Sequence, residues 1–262
     1  MMPLALAAGL SLCAPAARAQ DIPENNWPTS MTVHFIMHHQ SVRLPPGFLL
    51  NMEGIHREIT RELWFIADGM QSEKIDFYLY PDRASYLAGS FHPPSWSAGR
   101  SESRGYPRPK KVFVTYDGAR KELIKHELTH LFFAAYWKRP DMAPPPIWLN
   151  EGLAVTMEGK HTPVVRPIPM RDFLNTAPQT DDPASRVNDW YAQAGSVTNF
   201  LRKSRPSYHF KGLLEALRDG EPLVDALRHA YGFHSIEDFE KAWKSYAAIG
   251  LERGAASAKA AP

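Results

Sequence analysis

Residues His126, Glu127, Leu128, Thr129 and His130 stand in the middle of an apolar helical run, and no other stretch constrains the chain as much. Ile124, Leu128, Leu131 and Ala135 recur at spacings of four, three and four, which predicts one buried helix face. Positions i and i+4 share a face, so the imidazoles of His126 and His130 can both reach one metal ion. Glu127 is rotated about 100° around the axis, where it can hold and deprotonate a water without ligating the ion. Polar groups inside such a helix cost free energy unless partners meet them. The competing picture is two solvent-facing histidines on an amphipathic helix, which asks nothing of the rest of the fold.

A hydrolytic zinc site normally has three protein ligands and one open position. Metzincins would need glycine at 133 and histidine at 136, but Phe133 and Tyr136 stand there. Asp141 is the only nearby aspartate, in a proline-rich connection. A glutamate on a following helix is supplied by Trp148-Leu149-Asn150-Glu151-Gly152-Leu153-Ala154, where Glu151 is an acid among mostly apolar neighbours. Gly152 lowers helix propensity but would let this helix approach the histidine-bearing helix closely. Glu151 as a solvated charge in a first helical turn is the plain alternative. Glu158, seven residues on, shares its face and either orients a ligand histidine or is a solvated helix-end charge. Tyr191 adjoins a stripe of Trp190, Ala194, Val197 and Leu201; tight packing through Ala194, Gly195 and Ser196 would bring its phenol near the metal, against a purely structural role. His161, His209, His229 and His234 are expected at the surface.

Around this centre the chain divides in two. Strands are expected at 31–37, 75–80 and 111–116, with an edge strand at 97–104 inside a polar loop. Met52, Ile55, Ile59, Leu63 and Ile66 predict a helix stopping at Gly69, and a short helix follows at 82–88. From Ala119 onward everything is helical: 119–137, 148–157, 189–204, 207–219, 222–231 and 235–248. The 23 prolines predict long ordered loops between elements. This is an α+β pattern, with a mixed N-terminal part at 20–137, a helical part at 138–250, and a disordered tail at 251–262.

KELIKHELTHLFF followed by PPPIWLNEGLAVTMEG resembles the gluzincin metallopeptidases, closest to the small exported peptidase MA-like proteins. The resemblance is strong over 111–160 and weaker over 190–202. It implies a zincin-like fold, with Zn2+ held by His126, His130 and Glu151 and with Glu127 as catalytic base. Asn150-Glu151 is similar to the Asn-Glu pair of thermolysin. Where thermolysin-like enzymes place a carboxylate four residues after the ligand, this chain has Val155, and the exopeptidase motif of aminopeptidase N relatives is absent. An endopeptidase acting on a peptide or protein substrate is therefore expected. Two rivals stay open: a scaffold that binds metal without turnover, and a zinc amidase acting on a non-protein amide.

Residues 3–17, PLALAAGLSLCAPAA, are small and apolar, and Ala17-Arg18-Ala19 offers a cleavage site before Gln20. The run is short for a membrane span and is interrupted by Pro3, Gly9 and Pro15, so 1–19 is expected to be a signal peptide rather than a stable anchor. Its removal takes away Cys13, the sole cysteine. The expected location is the bacterial periplasm or the exterior. With 30 basic and 28 acidic residues, the charge balance argues against a nucleic-acid partner.

Overall fold

The computed structural model describes residues 26–40, 43–70, 74–89, 91, 93, 97, 99–102, 110–137, 144–159, 162–179 and 182–260, with side chains as far as 248. The leader, Asp141 and His161 lie outside these residues.

The N-terminal half is a five-stranded sheet with helices on both faces. Its strands are β1 (Thr29–Met31), β2 (Phe35–His39), β3 (Ile75–Tyr80), β4 (Gly99–Glu102) and β5 (Lys111–Thr115), in the spatial order β1-β2-β3-β5-β4. The three central strands are parallel, and the two edges are antiparallel to their neighbours. Crossovers carry α1 (Phe48–Glu62) and the short α2 (Arg83–Leu87), and α3 (Lys121–Tyr136) leaves β5. The run expected as one strand at 31–37 is broken: the Thr32 hydroxyl accepts from Phe35 N at 3.1 Å and closes a turn, with Met31 and Val33 exposed. The expected helix through Ile66 ends at Glu62, and 3-10 turns at Trp64–Ile66 and Asp68–Met70 continue its buried stripe. The edge strand is shorter than expected, at 99–102.

Six helices form the second half: α4 (Ile147–Glu158), α5 (Met170–Asn175), α6 (Ala184–Lys203), α7 (Ser207–Arg218), α8 (Leu223–Tyr231) and α9 (Ile236–Ala260). α5 was not expected, and α6 starts five residues earlier than expected. α9 continues through most of the segment expected to be a disordered tail. The physical reason is composition, since AASAKAA is rich in alanine, the best helix former. The prolines do more than lengthen loops. Pro146, Pro169, Pro183, Pro206 and Pro222 immediately precede five helices, with ψ between 129 and 148°. A helix-initiating position tolerates proline because the N–H it lacks would have no intrahelical acceptor.

The architecture is α+β and zincin-like. One apolar core runs from Phe35, Phe77 and Val114 on the sheet, through Ile124, Leu128 and Phe132 of α3, to Leu153, Val197, Leu213 and Trp243. The opposite face of the sheet carries a separate aromatic cluster: Trp27, Tyr78, Tyr80, Tyr86, Phe91 and Phe113. No helix among the described residues is long and apolar enough to cross a membrane.

Candidate metal centre

The buried stripe of α3 faces the core, which turns His126 and His130 towards α4. Their rings lie 4.8 Å apart, edge to face. α4 presents Glu151 to both, and Nε2 of each histidine stands 3.6 Å from the same carboxylate oxygen. Two donors about 2.0–2.1 Å from a tetrahedral ion are themselves roughly 3.4 Å apart. The spacing therefore suits one small divalent cation. His126, His130 and Glu151 have their donor atoms within 4.8 Å of one another, and no other such group occurs among the described residues.

The outer nitrogens are engaged in a way that leaves Nε2 free. His126 Nδ1 donates to Glu158 Oε1 at 2.6 Å, and His130 Nδ1 donates to Asn150 Oδ1 at 3.0 Å. Such bonds fix ring orientation and tautomer and raise the basicity of the inner nitrogen. Glu158 is thus a histidine partner and not a free helix-end charge. Val155 has a different job: a Cβ added to Gly195 of α6 would come within 2.5 Å of Val155 Cγ1, so this position is filled by helix packing. The carboxylate a turn later, Glu158, reaches His126 instead.

Gly152, expected to bring α4 against α3, instead serves a near backbone contact between α4 and α6, because its bare face is turned to that helix. A Cβ on Gly152 would meet Thr198 Oγ1 at 2.1 Å and Ala194 O at 2.4 Å. This closeness brings Tyr191 to the centre. Burial pushes its phenol well above the ordinary range, and the charges of Glu151, Glu127 and Glu158 push it the same way. The ring rests edge-on against Trp190 at 5.3 Å.

Glu127 is 6% exposed. Its Oε1 lies against β4, 3.1 Å from where a Cβ on Gly99 would be. Three carboxylates surround two imidazoles here, and the excess negative charge is met by a proton. Burial disfavours charge on His126, but the nearby Glu151 carboxylate and the hydrogen bond to Glu158 overcome it and hold the imidazole up at about 10. Burial also works against the Glu151 anion, yet His130 and His126 keep its carboxyl below the usual range. A cation in the centre would take the place of that proton, as expected of a metal site whose ligands must deprotonate.

The structure brings His126, His130, Glu151 and Glu158 into direct contact, and sets Tyr191 where it feels the charges of Glu151, Glu127 and Glu158. It gives Asn150 a role on His130 and adds Gly99 to the immediate surroundings. Among the other described histidines, His34 pairs with Glu53 at 2.6 Å, His38 with Asp76 at 2.8 Å, and the exposed His229 with Glu221 at 2.6 Å. His209, expected at the surface, is half-buried, with Nδ1 donating to Ala230 O at 2.6 Å.

Among protein-family models, the one described as Peptidase MA superfamily matches residues 66–248, which includes α3, α4 and α6. No curated protein matches the chain.

Proposed function

Because this chain belongs to the Peptidase MA superfamily, a metallopeptidase-like hydrolase family, we propose that it is an exported zinc endopeptidase. The observation that carries the reading is Glu127, a buried carboxylate on the same helix as the histidines of a two-histidine, one-glutamate donor set. Nitrogen and carboxylate donors in this number suit Zn2+, which when bound supplies Lewis acidity and lowers the pKa of an attacking water towards ~7.

The rest of the work falls to the chain. Glu127 accepts the proton of the attacking water and returns it to the leaving nitrogen. The Tyr191 hydroxyl, kept protonated by its surroundings, donates to the oxygen that becomes negative. Glu158 and Asn150 hold the two imidazoles. β4 ends the sheet, and an extended peptide can pair with such an edge through its backbone. Gly99 brings that edge against Glu127, which favours cleavage within a peptide over action on a non-protein amide. Export is supported by the small, apolar 3–17 segment and the Ala17-Arg18-Ala19 site.

The test is a peptide-library digest at near-neutral pH with added zinc, comparing wild type with Glu127→Gln. The variant should keep zinc and fold and lose about 10²–10⁴-fold in turnover. Zinc binding by a wild-type chain that cleaves nothing would move the scaffold or amidase readings ahead. Loss of zinc by Glu127→Gln would make Glu127 a ligand.

A further inference from the structure

We infer that Tyr86 and Ser97 are positioning residues that act on Glu127 through the backbone of Gly99; the inference rests on the endopeptidase reading for its kinetic part only. β4 has four residues and sits at the edge of the sheet, with a ladder to β5 alone. Such a strand has little of its own to fix it. Yet Gly99 is in close contact with α3: its absent Cβ would stand 3.1 Å from Glu127 Oε1 and 3.1 Å from Leu123 Cδ2. Any drift of the strand start would change the wall against which the Glu127 carboxylate rests.

What holds that start comes from the opposite side of the sheet. The Ser97 hydroxyl donates to the Gly99 carbonyl at 2.6 Å. With its one hydrogen used there, Ser97 Oγ accepts from the Tyr86 hydroxyl at 2.8 Å. Arg83, also on α2, donates to the Ser97 carbonyl at 3.2 Å. Tyr86 is fully buried among Tyr80 and Phe91, with ring centroids at 5.7 and 5.2 Å, so its hydroxyl has a fixed location. Burial pushes that phenol up to about 12, and the charge of Glu127 adds to the effect, so it remains a donor throughout the working range. The chain Tyr86 to Ser97 to Gly99 thus ties the aromatic cluster on one face of the sheet to Glu127 on the other. Neither Tyr86 nor Ser97 reaches the reacting atoms in this reading.

Full-length mature protein carrying Ser97→Ala, Tyr86→Phe, both together, or Ser97→Thr decides the matter by two readouts. The first is hydrogen exchange of the β4 amides in zinc-loaded protein. Ser97→Ala and Tyr86→Phe should each speed exchange about tenfold, the double variant should be no faster than Ser97→Ala, and Ser97→Thr should restore protection. Unchanged exchange in the single variants overturns the inference, whether or not the protein cleaves anything. The second is turnover of a library peptide that the wild type cleaves. kcat should fall roughly tenfold or more in both single variants, with zinc content unchanged and activity recovered by Ser97→Thr. Equal kcat in the presence of faster β4 exchange would also overturn it, since the strand would then move without consequence for Glu127. Should the wild type cleave no peptide, the endopeptidase reading fails by itself, and exchange alone decides whether the hydroxyl chain holds β4.

Discussion

Gly152→Ala adds one methyl group where the structure has no room for it. The new Cβ would lie 2.4 Å from the Ala194 carbonyl oxygen and 2.1 Å from Thr198 Oγ1. Thr198 can turn its hydroxyl aside, but a helix carbonyl cannot. An ordinary contact requires about 3.4 Å or more, so α4 and α6 must part locally by roughly 1 Å. Alanine brings about 1 kcal/mol of helix propensity, while overpacking of a close seam typically costs 1–3 kcal/mol. The net loss of stability should therefore be modest, roughly 0–2 kcal/mol. The effect on the centre should be larger, because Glu151 is the adjacent residue and its oxygen is shared by both histidines at 3.6 Å. The assay pairs urea unfolding of metal-free protein with zinc competition against a chelating dye. Zinc affinity should drop at least tenfold, and Gly152→Ala combined with Thr198→Ala should recover only part of it, since Ala194 O remains. Wild-type zinc affinity in Gly152→Ala would refute the claim that backbone contact sets the position of Glu151.

Two further results are expected. Glu151→Ala should lose zinc on dialysis, whereas Glu158→Ala should weaken binding by only about 10–100-fold; stoichiometric zinc in both would mean another ligand. His56 is 3% exposed and stacked on His34 at 3.8 Å; burial, with the charge of His34 adding and Glu53 opposing, holds its imidazole down at about 4 from 6.5. The folded protein thus refuses a proton that the unfolded chain accepts, so this stabilisation is complete above pH 6.5 and is lost as pH falls towards 4, at up to ~1.4 kcal/mol per unit. Urea midpoints at pH 7 and pH 5 should show wild type losing about 2 kcal/mol more than His56→Phe on acidification, and equal losses would exclude His56 as the source.

The metal centre was legible because its spacing is local. The i and i+4 rule puts His126 beside His130, an acid in an apolar run marks Glu151, and a seven-residue offset puts Glu158 on the same face. The meaning of Val155 was not legible, since only the fold reveals Gly195 opposite it. The same holds for Tyr86, Ser97 and Gly99, which belong to different segments and converge on Glu127 through tertiary structure. β4, with the sequence Gly-Arg-Ser-Glu, has no apolar alternation to announce its limits. In MTVHFIM the opposite occurred: strand-forming residues concealed a turn that the Thr32 side chain closes. Proline content was visible from the outset, but its use at five helix starts depends on where each helix packs.

The histidine pair stands on α3 and Glu151 on α4, and the apolar buried residues of both helices belong to one core. The centre is consequently the property of neither half. It cannot travel as a module: a fusion, splice or truncation that retained α3 and discarded α4 would inherit every letter of HELTH and none of its coordination. The recognisable motif is a fragment of the site's blueprint, and the heritable unit is the whole interlocked body of sheet and helices.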